Sequence, residues 1–113
     1  RDDAAYLLDI LIAARKAVSY LNSLSFSDFE TSDLHQDAVM RALEIMGEAA
    51  SRLSERTKEA HSEIPWIQVI GMRNRLVHEY FRINLLAVWD TIKKDIPELI
   101  EKIEPLLPDN DEY

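Results

Sequence analysis

One segment of the chain places an arginine, an imidazole and a phenol close together in an otherwise leucine-rich helical sequence. It reads Arg73-Asn74-Arg75-Leu76-Val77-His78-Glu79-Tyr80. Histidine can take and give protons near neutral pH, because its unperturbed pKa is about 6.5. Arginine keeps its charge and offers a planar fork of donors that matches phosphate oxygens. These residue types favour phosphodiester chemistry, in which His78 takes the proton of a ribose 2′-hydroxyl and Arg73 stabilises the charge that develops on the phosphate.

The spacing of these residues predicts how they share a site. On an ideal helix Arg73 and His78 differ by about 140° around the axis, whereas Asn74 and His78 differ by about 40° and Arg73 and Tyr80 by about 20°. Asn74 could therefore orient the imidazole or donate to the phosphate. For Arg73 and His78 to serve one site, either the helix breaks between them or a second copy of the chain completes the site.

A purely structural interpretation of the same segment stays open. His78 could be a hydrogen-bonded core residue, Arg75 and Glu79 a surface pair four residues apart, and Tyr80 a packing residue. His35 lies near a predicted helix start and His61 in a connection between helices, where surface or capping roles are more common.

The sequence contains no pattern typical of a metal site. It has no H-x-x-x-H, and it has no Glu-x-x-His of the kind found in di-iron bundles. Glu44 and Glu48 share a helical face, but two carboxylates without histidine partners are more often solvated. We therefore expect neither a metal nor another cofactor.

The composition predicts one globular, helical domain that spans residues 1–113. Of the 113 residues, 47% are hydrophobic and 30% charged, and there is no cysteine for a disulfide or thiolate metal site. No apolar run is long enough for a membrane span. A reducing cytoplasm is compatible with this composition, and we expect a cytoplasmic protein with a frayed acidic tail at about 108–113.

The charge distribution limits how nucleic acid could be bound. A net charge of −8 argues against a protein that coats nucleic acid by its overall field. A local basic patch is still allowed, because Arg73, Arg75 and Arg82 lie close together in sequence. Arg75 and Arg82 are therefore candidate RNA- or phosphate-binding residues beside Arg73.

The periodicity of apolar residues predicts the elements that must position the motif. A first helix from about Asp3 to Leu21 is followed by a serine-rich turn over 22–29, and then by a second helix capped by Thr31, Ser32 or Asp33. The apolar stripe of the first helix is predicted to be core, and consists of Leu7, Leu8, Leu11, Ile12, Val18 and Leu21. The second helix is apolar on two sides, which is typical of contact with both its own bundle and another subunit. Its Gly47 would let another helix approach closely.

Two further helices complete the predicted architecture. Pro65 suits the first turn of a helix that carries the motif, and Asn84 can cap the next helix. Pro97 should kink or restart that last helix near Ile96. The expected fold is an all-α antiparallel bundle of four or five helices that forms a homodimer.

In this setting the motif resembles the R-x4-H-x-Y motif of HepT-type toxins in the HEPN superfamily, and the resemblance extends along the chain. The landmarks that carry it are Arg1-Asp2, Tyr6-Leu7, Asp9-Ile10, Gln36-Asp37-Ala38, Ile45-Met46-Gly47-Glu48-Ala49, Pro65-Trp66 and Gly71-Met72-Arg73-Asn74. The family implies a HEPN homodimer whose motif residues line a cleft between protomers. It also implies a metal-independent endoribonuclease, with catalytic residues at Arg73 and His78.

The resemblance further implies the toxin of a toxin–antitoxin pair, with a small MNT-type nucleotidyltransferase as antitoxin. In several HepT systems the antitoxin transfers AMP from ATP onto the motif tyrosine, which corresponds here to Tyr80. The added negative charge would neutralise the face shared with Arg73. An alternative function is a non-catalytic substrate-binding or partner subunit of a nucleotidyltransferase, in which Tyr80 is only an acceptor. A structural helical dimer is a third.

Overall fold

A computed structural model describes residues 2–78 and 84–108, and of residues 75–78 it describes the backbone alone. The described chain is helical, as predicted, and no strand occurs in it. The elements in chain order are α1 (Asp3–Leu21), α2 (Phe26–Glu30), α3 (Asp33–Ser51), α4 (Glu55–Ala60), α5 (Trp66–His78), α6 (Leu85–Asp90), a π-helical turn (Thr91–Asp95), α7 (Ile96–Ile103) and a 3-10 turn (Glu104–Leu106).

Helix α1 has the predicted limits, and small side chains allow it to pack closely against α3. Asp2 caps it by accepting a hydrogen bond from the Ala5 N–H at 3.0 Å. The α1–α3 contact is the most extensive in the fold, and alanines are prominent among the buried residues of both helices: Ala13, Ala14, Ala17, Ala42, Ala49 and Ala50. The predicted apolar stripe was wrong at Ile12, which is 39% exposed. The buried face of α1 is centred on the small side chains at positions 13, 14 and 17, and Ile12 lies outside that face.

The segment predicted as a serine-rich turn contains a short helix instead. Ser25 accepts a hydrogen bond from the Asp28 N–H, and the Asp28 carboxylate accepts one from the Ser25 N–H, which is a complete capping box. The resulting helix α2 buries Phe29, whose ring centroid lies 5.7 Å from that of Trp89. Helix α4 was also not predicted, and it begins at a cap formed by Ser54 and the Thr57 N–H.

Helix α3 begins where it was predicted to begin, with Ser32 as its cap. Both of its apolar sides are covered within the one chain, since it packs against α1 and also against α5. Met40, Leu43 and Ala50, which form the second apolar side, are all buried. The fold of one chain therefore accounts for both apolar sides of α3, and the second apolar side gives no support for a second subunit.

The last helical segment begins and restarts at the residues that were predicted, Asn84 and Ile96. Asn84 caps α6 by accepting a hydrogen bond from the Ala87 N–H at 3.1 Å. The predicted restart at Ile96 is confirmed, because a π turn precedes it and the Ile96 N–H bonds the Thr91 carbonyl five residues earlier. Pro97 supplies the physical reason, since it lacks an N–H and cannot continue the regular pattern of hydrogen bonds.

The described helices form one bundle around a continuous core. Helix α1 contacts α3 and α7, while α3 also contacts α5. Asp3, at the start of α1, hydrogen-bonds Ser54 just beyond the end of α3, so these two long helices run antiparallel. Across the described residues, none of the helices combines the length and the apolarity that crossing a bilayer requires.

Candidate active site

Helix α5 carries the motif and is anchored at its start by tryptophan. The Trp66 indole is buried and donates a hydrogen bond to the His61 carbonyl at 3.0 Å. Pro65 immediately precedes the helix, and its carbonyl accepts the first helical hydrogen bond from the Val69 N–H at 3.1 Å. A proline suits this position because no helical partner exists for its missing N–H.

The helical backbone runs without interruption from Trp66 to His78. Of the two predicted ways to bring Arg73 and His78 to one site, a helix break between them is therefore wrong. A step of five residues along an α-helix, as from position 73 to position 78, corresponds to about 140° around the helix axis. A site that uses both residues consequently needs one of them to come from a second copy of the chain.

The Arg73 guanidinium is held by two acceptors. Its Nη2 lies 3.1 Å from Oε2 of Glu48, across the contact between α3 and α5. Its Nη1 donates to Oδ1 of Asn74 at 3.0 Å. The Arg73 side chain is 37% exposed, so it is both held in place and accessible to an anion.

Glu48 joins Arg73 to a second arginine. Its Oε1 accepts hydrogen bonds from Nε of Arg52 at 3.0 Å and lies 2.8 Å from Nη2 of that residue, while its Oε2 faces Arg73. The Glu48 carboxylate raises the pKa of the Arg52 guanidinium, by its hydrogen bond and then by its charge. Glu48 was considered only as a solvated carboxylate in place of a metal ligand; it is 41% exposed, and its contacts with both arginines were not predicted.

Gly47 allows the backbones of α3 and α5 to approach each other at this point. A Cβ built on Gly47 would lie 2.1 Å from the Cβ of Arg73 and 3.1 Å from its Cα. Real Cβ atoms do not approach other heavy atoms that closely. The predicted role of Gly47 in close helix approach is therefore confirmed, and the approaching residue is Arg73.

Arg73 and Glu48 lie in a cleft of about 310 Å³ between α1, α3 and α5. Its lining contains three basic and three acidic residues, together with a phenol and two apolar residues: Arg41, Arg52, Arg73, Asp9, Glu44, Glu48, Tyr6, Ile45 and Ala49. The charges in this cleft balance. An anion would thus be bound by the local geometry of the arginine donors rather than by a strong positive field.

The structure describes only some of the predicted site residues. Arg73 and Asn74 are brought together, with Asn74 orienting the guanidinium, a contact that the sequence did not predict. For Arg75 and His78 the described structure is limited to the helical backbone, and both Tyr80 and Arg82 lie outside the described residues, as does the acidic tail beyond residue 108.

Sequence reasoning missed Glu48 and Arg52 as members of this cluster. The four-residue spacing between Glu48 and Arg52 was a usable signal for their pairing. No signal in the sequence indicated the contact between Glu48 and Arg73, because these residues are far apart in the chain and lie on different helices.

The other two histidines have the surface and capping roles that were predicted for them. His35 lies at the start of α3, where its Nδ1 is 2.7 Å from the Ser32 hydroxyl. His61 directly follows α4, and its Nδ1 is 3.9 Å from a carboxylate oxygen of Glu63. Within the described residues, no three histidine, aspartate or glutamate side chains are grouped so as to hold a metal ion.

The chain is similar over most of its length to a known protein family and to several known proteins. Residues 10–106 match the family model described as ribonuclease HepT-like. A protein named as a probable ribonuclease HepT from Thermococcus cleftensis is 40% identical over 106 residues, which is 94% of this chain and 96% of that protein. A protein named as a candidate RNase from Caldanaerobacter subterraneus subsp. tengcongensis is 39% identical over 102 residues, covering 90% and 91% of the two chains.

A third relative, named as a candidate RNase from Methanocaldococcus jannaschii, is 34% identical over 104 residues, or 92% of this chain and 95% of that protein. No solved structure matches the chain significantly. The family match spans all of the helices that build the cleft except the first turns of α1, and it includes the whole motif. The chain therefore belongs to the ribonuclease HepT-like family, a family of ribonucleases with the HEPN helical fold.

Proposed function

We propose that this protein is the toxin of a type II toxin–antitoxin pair and acts as a metal-independent endoribonuclease. The observation that carries the proposal is the Arg73 guanidinium, which two acceptors hold while more than a third of the side chain stays exposed. Its relatives are named as ribonucleases, and its family bears the same description. RNA in the cytoplasm is the proposed substrate.

The proposed reaction uses the ribose as its own nucleophile. His78 removes the proton of the 2′-hydroxyl, the 2′-oxygen forms a bond to phosphorus, and the bond to the 5′-oxygen breaks. A general acid protonates the leaving 5′-oxygen, so the products are a 2′,3′-cyclic phosphate and a 5′-hydroxyl. Arg73 stabilises the negative charge that builds up on the phosphate oxygens during this step. The mechanism needs no cofactor, and Arg75 and Arg82 would bind neighbouring phosphates.

The proposed active unit is a homodimer with a cleft between its protomers. Because α5 does not break, positions 73 and 78 of one chain lie about 140° apart around the helix axis. Two copies related by twofold symmetry could place Arg73 of one protomer beside His78 of the other. A second His78 in the same cleft could then supply the general acid.

The proposed antitoxin is a small MNT-type nucleotidyltransferase that inactivates the toxin by modifying Tyr80. The Tyr80 hydroxyl oxygen would form a bond to the α-phosphorus of ATP, pyrophosphate would leave, and the phenolic proton would pass to a base of the antitoxin or to water. Each AMP brings one phosphate with a negative charge. That charge would compete with RNA for Arg73.

Cleavage of total cellular RNA by the purified, unmodified protein in excess chelator tests this proposal. We expect cleavage that is lost in His78→Ala and in Arg73→Ala, and that is retained in the matched control His61→Ala. Intact mass verifies that Tyr80 is unmodified, and circular dichroism verifies folding. Chelator-resistant cleavage by His78→Ala would contradict the proposed mechanism.

The second candidate function is a non-catalytic partner subunit of a nucleotidyltransferase. The net charge of −8 and the balanced charges of the cleft favour it, since both weaken attraction to RNA. Failure of the verified, unmodified wild-type protein to cleave RNA, combined with transfer of AMP to Tyr80, would support this candidate over the ribonuclease.

A further inference from the structure

We propose that Glu48 is a positioning residue for Arg73: it fixes the direction of the guanidinium so that the remaining N–H donors face the scissile phosphate. This inference rests on the proposed ribonuclease function and deepens it. It names a residue that lies outside the R-x4-H-x-Y motif but on which the rate of RNA cleavage depends. The contact that carries it joins Oε2 of Glu48 to Nη2 of Arg73 at 3.1 Å.

Consecutive residues of α3 hold the Arg73 side chain at both of its ends. Gly47 meets its Cβ, at a distance that leaves no room for a methyl group, and Glu48 meets its guanidinium. The side chain is thereby placed against α3 over its whole length. Asn74 then accepts from the other terminal nitrogen, so rotation about the last bonds of Arg73 would break at least one of two contacts.

Glu48 can act in this way because it is itself held. Arg52 contacts Oε1 through both Nε and Nη2, which leaves Oε2 directed at Arg73. Arg52 in turn interacts with Tyr6 of α1. The cluster therefore connects all three helices that form the cleft, and it ends at the one arginine that belongs to the catalytic motif.

The magnitudes favour a role in orientation over a role in stability. The Glu48 and Arg73 side chains are 41% and 37% exposed, and ion pairs this exposed contribute little to folding stability. By contrast, a catalytic group that is misplaced by about 1 Å can lower the rate roughly 100-fold. Loss of Glu48 should consequently affect catalysis far more than it affects the free energy of unfolding.

The chemistry also predicts which kinetic constant changes. Glu48 brings a negative charge close to where the phosphate would bind, so its removal should not weaken the electrostatic attraction for RNA. If Glu48 orients Arg73, Glu48→Gln lowers kcat and leaves KM unchanged or lower. If Glu48 instead competes with the phosphate for Arg73, the same substitution raises kcat/KM, and that result would overturn the proposal.

The kinetic test compares Glu48→Gln with Glu104→Gln on a short RNA substrate. Glu104 also forms an exposed ion pair, at 2.6 Å with Arg15, but it does not line the cleft. We expect kcat to fall about 10- to 100-fold in Glu48→Gln and to stay within about twofold in Glu104→Gln.

A second measurement decides the inference even for a protein that does not cleave RNA. Nitrogen-15 NMR of the arginine side chains reports how fast each guanidinium rotates, and Arg73→Lys assigns the Arg73 signals. We expect slow rotation at Arg73 in the wild-type protein and fast rotation in Glu48→Gln, with Arg15 changing only in Glu104→Gln. Equal, fast rotation of Arg73 in both proteins would refute a positioning role. Slow rotation without RNA cleavage would instead refute the proposed function alone.

Discussion

The backbone of Gly47 lies so close to Arg73 that a methyl group at position 47 would stand 2.1 Å from the Arg73 Cβ. A glycine inside a helix costs about 1 kcal/mol relative to alanine. In return, the absence of a side chain at position 47 allows α5 to approach α3 directly. The same approach brings Arg73 within reach of Glu48.

This relationship predicts opposite effects for two glycine substitutions. Gly47→Ala should lower the free energy of unfolding by about 1–3 kcal/mol, because the overlap with Arg73 exceeds what α3 and α5 can absorb without moving apart. Gly71→Ala is the matched control on α5, where a built Cβ has nothing within 4 Å. It should stabilise by up to about 1 kcal/mol. Urea denaturation measures both, and a stabilised Gly47→Ala would contradict the close approach.

A hydrogen-bonded carboxylate at the start of α1 predicts acid-sensitive stability. Hydrogen bonds from the Ser54 and Thr57 hydroxyls, and from the Ser54 N–H, lower the pKa of Asp3 below its ordinary value of 3.8. A lowered folded-state pKa means that this stability is fully present above pH 3.8 and is lost as the pH falls through the folded-state pKa.

Asp3→Asn should therefore destabilise the protein at pH 7 and have a smaller effect once the pH has fallen below the folded-state pKa of Asp3. Urea unfolding of both proteins at several pH values measures the difference. Asp95→Asn serves as the control, since Asp95 is exposed and makes no capping hydrogen bond. An Asp3→Asn effect that grew as the pH fell would contradict the assigned sign.

Helix α2, which was not predicted, should contribute to the free energy of unfolding mainly through the side chain of Phe29. Phe29 is fully buried, with its ring beside Trp89, so Phe29→Ala should cost about 3–5 kcal/mol. Leu34→Ala is the control, because Leu34 is 75% exposed and its loss should change stability by less than about 0.5 kcal/mol. Thermal or chemical unfolding compares them. Similar values for both variants would mean that α2 does not pack as described.

The proposed regulation gives a prediction that intact mass can check. Co-expression with the nucleotidyltransferase partner should increase the mass of the chain by whole AMP groups, and Tyr80→Phe should abolish the increase, because phenylalanine has no acceptor oxygen. Tyr20→Phe, on the exposed side of α1, is the control and should still be modified. Modification that persisted in Tyr80→Phe would place the acceptor elsewhere.

The sequence predicted those features that depend on local patterns. The limits of α1, the caps at Ser32 and Asn84, and the restart at Ile96 all follow from residue types within a few positions of each other. Membership in the HepT-like ribonuclease family was also predicted, from the motif and its flanking landmarks, and is confirmed. The homodimer and the roles of Arg73, His78 and Tyr80 stay predictions.

Features that depend on tertiary contacts were predicted less well. Helices α2 and α4 have five and six residues, too short to be stable alone, so their apolar periodicity carries little signal. Ile12 was assigned to the core because periodicity cannot show that alanines turn the buried face of α1. The ion pair between Glu48 and Arg73 was not predicted, because the two residues lie on different helices. Only the packing of α3 against α5 brings these two residues together.

Helix α1 is fastened at both of its ends by side chains from distant parts of the chain. Asp3 at its start binds Ser54 and Thr57, and the Leu21 carbonyl at its end accepts a hydrogen bond from Lys93 at 2.9 Å. Lys93 belongs to the π turn and also lies 4.7 Å from the centre of the Trp89 ring. These contacts oppose fraying of α1 from either end. We therefore expect its interior amides to exchange with deuterium mainly through openings of the bundle, and so more slowly than the amides of the short helices α2 and α4.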